Sequence, residues 1–125
     1  MIHLDANYLV GISTPASPEG IQVGQWIAAG QDIGTSSVAW AEYLCGPLSR
    51  ETLESTRELV GDPVPFGERD AGLAAEMFNS TGRRRSLFRD CMIGAVASNA
   101  DASVATNNIV DFRRFASFGV RIASG

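Results

Sequence analysis

The opening stretch "MIHLDANYL", residues 1–9, sets an apolar run, Met1 to Leu4, directly against a carboxylate at Asp5 and a small amide at Asn7. Ile2–Asp5 reads as a short strand, and Asn7–Ile12 as the helix that follows it. An acid at the tip of a buried strand is expensive to desolvate unless something pairs with it. Asp5 is therefore either a lone helix cap or one member of a site, depending on where the other acids fall.

Outward from this stretch the same alternation continues. Strand-like segments at Ile2–Asp5, Asp32–Thr35, Pro63–Phe66, Ala102–Thr106 and Val120–Ala123 are interleaved with helical patterns at Asn7–Ile12, Glu19–Ala29, Ser37–Leu44, Arg50–Val60, Glu68–Ser80, Leu87–Asn99 and Ile109–Phe115. That order predicts a three-layer α/β/α sandwich whose central, mostly parallel sheet has four to five strands. Pro18 before the second helix, Ser49 before "RETLESTREL", and Gly30, Gly61 and Gly82 at helix ends punctuate the pattern. A chain of 125 residues without internal repeats is the size of one domain, 1–125.

Composition removes several chemistries. The net charge of −4 argues against a surface that grips nucleic acid on every side, although it leaves room for a local basic patch. All ten positive charges are arginines, so neither a phosphate-loop lysine nor Schiff-base chemistry is available. The single histidine, His3, makes serine–histidine catalysis and the usual zinc clusters poor candidates. Cys45 and Cys91 lie in apolar segments and read as small core residues of a protein from a reducing compartment. No stretch has the length and apolarity of a membrane span and no leader pattern precedes the first strand, so a cytoplasmic location without membrane contact is expected.

Of the fourteen acids, Glu51, Glu54, Glu58, Glu68 and Asp70 fit solvated helix faces. Four others are flanked by residues that favour burial: Asp5, Glu42 in "SVAWAEYLCG", Asp90 before "CMIGAVA", and Asp111 in "TNNIVDF". Ligands of open α/β sheets bind beyond the carboxyl ends of the strands. If the first and fourth strands are neighbours, Asp5 and the loop after Thr106 meet at that edge. Glu42 and Asp90, expected near the starts of their helices, then face it too. Converging carboxylates repel, and a divalent cation relieves that repulsion. An oxygen-only ligand set suits a hard ion, Mg²⁺ or Mn²⁺, which activates water for an in-line phosphoryl displacement. Each acid also has a purely structural reading: Asp5 as a helix cap, Asp90 as a first-turn acid, Asp111 paired with Arg113 or Arg114, and Glu42 as an ordinary helix residue.

The ordered set resembles the PIN-domain ribonucleases, and among them the VapC-type toxins of toxin–antitoxin pairs. "HLDANYL" looks like their first-strand motif and "TSSVAWAEYLCG" like their serine-containing segment with its glutamate. "RDCMIGAVA" is similar to the third motif, an Asp leading a small-residue helix. "VATNNIVDF" is similar to the fourth, where a threonine ends the strand and an acid precedes phenylalanine. The resemblance implies that Asp5, Glu42, Asp90 and Asp111 form an acidic Mg²⁺ (or Mn²⁺) site, with Asn108 as a neutral oxygen or water ligand. It implies further that Asn7 and Thr106 orient the carboxylates, that RNA is the substrate, and that the protein is a homodimer held in check by a cognate VapB-type antitoxin.

In "TGRRRSLFRD", four arginines precede Asp90, and Arg83, Arg84 and Arg85 read either as RNA-phosphate contacts or as a solvated loop. A haloacid-dehalogenase-type phosphatase would want a second Asp where Asn7 stands, and a lysine; a receiver domain also lacks its lysine. The remaining alternative is a non-catalytic PIN-like module that binds RNA or protein. Trp26 and Trp40, and Phe112, Phe115 and Phe118, read as packing residues.

Overall fold

The computed structural model describes residues 1–124. Four short strands, β1 (Ile2–Leu4), β2 (Ile33–Gly34), β3 (Ser103–Ala105) and β4 (Arg121–Ile122), form one all-parallel sheet in the order β2-β1-β3-β4. Among the described residues, seven α-helices surround it: α1 (Ala6–Gly11), α2 (Pro18–Ala28), α3 (Ser37–Leu44), α4 (Arg50–Val60), α5 (Glu68–Ser80), α6 (Phe88–Asn99) and α7 (Ile109–Arg113). Helix-covered parallel strands need apolar residues on both faces, and every residue of β1 is buried.

The chain reverses its order of strand addition at β1. From β1 it builds β2 on one side, then crosses over to lay β3 on the other, so the switch point lies between β1 and β3. The first and fourth predicted strands are thus neighbours, with Leu4 opposite Ala105. That places Asp5 and Thr106, the next residues along, side by side at the carboxyl edge.

The predicted strand Pro63–Phe66 contributes only one parallel bridge, Ser36 to Val64. The amide of Val64 donates to the carbonyl of Thr35 at 2.9 Å, and its carbonyl accepts from Ser37 at 2.8 Å. Pro63 and Pro65 have no N–H on either side, so the ladder cannot extend. Helix boundaries follow the expected signals. Ser17 and Ser49 cap α2 and α4, Pro18 begins α2, and Gly30, Gly61 and Gly82 adopt positive φ at helix ends.

The core gathers Leu4, Leu9, Tyr43, Met77, Ile93, Val104, Phe112 and Phe115, with Cys91 among them. Trp26 is buried, Trp40 packs against the core from its edge, and Phe118 is half-buried. Two expectations are corrected. Cys45 is exposed, because it terminates α3 with its thiol turned to the carbonyl of Ala41. Asp70 is buried rather than solvated: its carboxylate accepts from the Gly67 amide at 2.9 Å and from Asn99 Nδ2 at 2.8 Å, tying the start of α5 to the end of α6. Both cysteines are free thiols.

Candidate active site

Asp5 serves two purposes at once. It caps α1, Oδ1 accepting from the Ala6 amide at 2.7 Å, while Oδ2 accepts from the Thr106 hydroxyl at 2.7 Å across the β1/β3 boundary. That hydroxyl in turn accepts from the Asn108 amide at 3.0 Å, which fixes the direction of its own proton toward Asp5. An ionised carboxylate offers about four lone-pair positions. Two hydrogen bonds therefore hold Asp5 rigid and leave further acceptor capacity.

Asp90 is the third residue of α6 and is buried, and its Oδ1 has no hydrogen-bond partner. Its pKa is pushed from 3.8 up to about 7. Burial is the largest cause, and the charge of Asp5 comes next; Arg89 pulls in the opposite direction, and Asp111 and Glu42 add to the rise. All four predicted acids thus share one electrostatic neighbourhood, with Asp5 and Asp90 at its centre.

The outer two are already engaged. Glu42 pairs with Arg89, Oε2 to Nε at 3.2 Å, and Asp111 lies 4.0 Å from the Arg114 guanidinium. Contrary to the expected placement, Glu42 sits in the second half of α3 rather than near its start. The α3 scaffold is set by two residues not among the expected site residues: Thr35 donates to the Leu4 carbonyl at 2.7 Å, and Ser36 caps the helix through the Ala39 amide. Asn7 meets backbone instead of carboxylate, its Oδ1 accepting from the Asn107 amide at 3.3 Å, while Asn107 reaches Glu19 at 3.1 Å. Only the chain crossing from β3 to α7 reveals that role, a contact spanning a hundred positions that local sequence does not encode.

Among the described residues no three His, Cys, Asp or Glu side chains lie close enough to form a ready ligand cluster. The fit to a cation rests instead on the buried, unpartnered Asp90 Oδ1 beside Asp5. This suits a hard ion that keeps several waters and takes only one or two carboxylates directly.

Arg83, Arg84 and Arg85 are exposed on the turn before α6. Arg83 bonds Asn79 Oδ1 at 2.7 Å and lies 5.9 Å from the centre of the Phe78 ring.

Fold and site together define a parallel α/β protein with an acidic edge at its topological switch point. A PIN domain family model matches residues 2–117, and the chain belongs to the PIN domain family, whose members are generally metal-dependent nucleases. No curated protein matches it in sequence. Solved structures share the fold. FitAcB from Neisseria gonorrhoeae aligns with a TM-score of 0.75 at 23% identity, over 99% of this chain and 97% of that one. VapBC2 from Rickettsia felis, bound to a DNA fragment from their promoter, gives 0.75 at 18% identity over 98% of each chain. FitAB bound to IR36 DNA fragment gives 0.71 at 21%, over 98% of this chain and 94% of that one.

Proposed function

We propose that this protein is a Mg²⁺- or Mn²⁺-dependent endoribonuclease acting as the toxin of a VapBC-type pair, a cytoplasmic homodimer restrained by a cognate antitoxin. The observation that carries the reading is Asp90, a buried carboxylate with an unpartnered oxygen, surrounded by three further acids and one arginine. A structural acid is normally satisfied by donors. This one faces like charges, an arrangement that favours a cation.

Asp5 and Asp90 would hold the ion, with Glu42 and Asp111 acting from the rim and Asn108 offering a neutral oxygen. When bound, such an ion lowers the pKa of water and screens charge developing at phosphorus. Thr106 fixes the Asp5 carboxylate so that its free lone pairs point in one direction. Arg83, Arg84 and Arg85, beside α6, supply positive charge for RNA phosphates in an otherwise acidic molecule. Large apolar side chains left in solvent, Val110 at 70% and Val10 at 57% exposed, support an assembled state. VapBC2, a neighbour in fold seen on a fragment of promoter DNA, supports the toxin–antitoxin setting.

The test is hydrolysis of RNA by the purified protein with Mg²⁺, with Mn²⁺ and with EDTA. Metal-dependent cleavage that falls at least about a hundredfold in Asp5→Asn, with the circular dichroism spectrum unchanged, is the expected result. RNA binding without metal-dependent cleavage would instead favour the non-catalytic module.

A further inference from the structure

Beside Thr106, on the β4 side of the acidic edge, lies a cleft of about 390 Å³. It falls within the range of about 300–1,000 Å³ typical of small-ligand sites. Its wall holds two aromatic rings, Tyr8 and Trp26, stacked with centroids 5.9 Å apart and planes 26° from parallel. Trp26 is buried and pinned, its indole N–H donating to the Ser124 carbonyl at 3.2 Å, whereas Tyr8 is half-buried and borders the opening. Gln22, Ile109 and Arg113 also line it, together with the segment Ile122–Ser124. Arg113 is exposed and forms no ion pair among the described residues, unlike its neighbour Arg114 beside Asp111.

The geometry points to a subsite for an unpaired base of single-stranded RNA next to the scissile phosphate. The inference rests on the nuclease reading above and deepens it. A backed aromatic ring gives a base a rigid face to stack on. The Gln22 amide carries both donor and acceptor groups, as a base edge requires. Arg113 adds a planar, free cation for the adjoining phosphate. Thr106 belongs to both places, lining the cleft and donating to Asp5, so a base seated there lies next to the candidate metal site. Backbone-only binding would need the cation and not the rings.

The experiment measures binding, by fluorescence anisotropy in EDTA, of a short single-stranded oligoribonucleotide and of an abasic chain of equal length. The intact RNA should bind about tenfold more tightly than the abasic one, and Tyr8→Leu should erase that difference. Gln22→Ala should reduce the difference, and Arg113→Gln should weaken both ligands alike. In a Trp40→Phe background, the remaining tryptophan, Trp26, should be quenched by the intact RNA only. Equal affinity for the two ligands overturns the subsite. So does a preference that survives Tyr8→Leu. If Tyr8→Leu does not fold, Gln22→Ala decides, and a difference between the two ligands that it leaves undiminished overturns the subsite. A base-dependent preference without metal-dependent cleavage would sink the nuclease reading alone, and cleavage without the preference would sink the subsite alone.

Discussion

The Asp90 carboxyl links burial to pH. In the unfolded chain it ionises near 3.8, while the folded protein holds its proton up to about 7. Between those values the unfolded state releases a proton that the native state keeps. The stabilisation from this group is therefore complete below pH 3.8, declines as pH rises and is gone above about 7. Asp90→Asn should be more stable than the wild type by about 1–4 kcal/mol in urea unfolding at pH 7.5 in EDTA, the two converging toward pH 4. Added Mg²⁺ should raise the wild-type midpoint and leave the variant unmoved. His3 acts with the opposite sign. Burial first, then the N-terminal ammonium, lower it to about 4, and its Nδ1 has no partner. Its stabilisation is present above pH 6.5 and is lost as pH falls through 4. Arg89 is the cation set among these acids, paired with Glu42 and opposing the rise at Asp90. Arg89→Gln should therefore tighten Mn²⁺ binding about two- to fivefold, read by electron paramagnetic resonance of the free ion. The chain announced these acids by their apolar flanks. It did not announce that Asp5 both caps α1 and accepts from Thr106, because the second bond reaches across 101 positions.

Helix α6 shows how tightly the site is mounted. A Cβ at Gly94 would meet Met77 Cε at 3.1 Å, Val120 Cγ2 at 3.3 Å and Phe115 Cδ2 at 3.6 Å. At Gly72, on the exposed side of α5, it would meet nothing within 4 Å. Gly94→Ala should destabilise by about 1–3 kcal/mol through overpacking. Gly72→Ala should stabilise by about 0.4–1 kcal/mol by restricting the unfolded chain. Urea unfolding of the pair checks both signs. The arginine turn before α6 is exposed, and replacing Arg83, Arg84 and Arg85 together with Gln should flatten the dependence of RNA affinity on log salt by about 2. Periodicity located these helices to within a residue or two, since caps and glycines act locally. The apolar residues of Pro63–Phe66 fit a strand, but Pro63 and Pro65 on either side of Val64 forbid the ladder.

The molecule as a whole carries a net charge of −4, and at its acidic edge Arg89 pairs with Glu42 and Arg114 lies beside Asp111. Light scattering should return twice the 13.3 kDa chain mass if the exposed apolar residues are shared between two copies. No helix among the described residues is long and apolar enough to cross a membrane. The layered architecture was legible because strand–helix alternation and apolar β-segments admit few solutions. Asp5, Glu42, Asp90 and Asp111 could be picked out as candidates by their apolar flanks, whereas the burial of Asp70 could not. The grouping of those four was not legible, because proximity at the sheet edge follows from the strand order β2-β1-β3-β4, set by packing between segments up to a hundred positions apart. The same long-range packing seated Glu42 on Arg89, buried Asp70 against Asn99, and opened the cleft behind Thr106. Local preferences propagate over one or two helical turns; contacts between distant parts of the chain exist only once the core has closed around them.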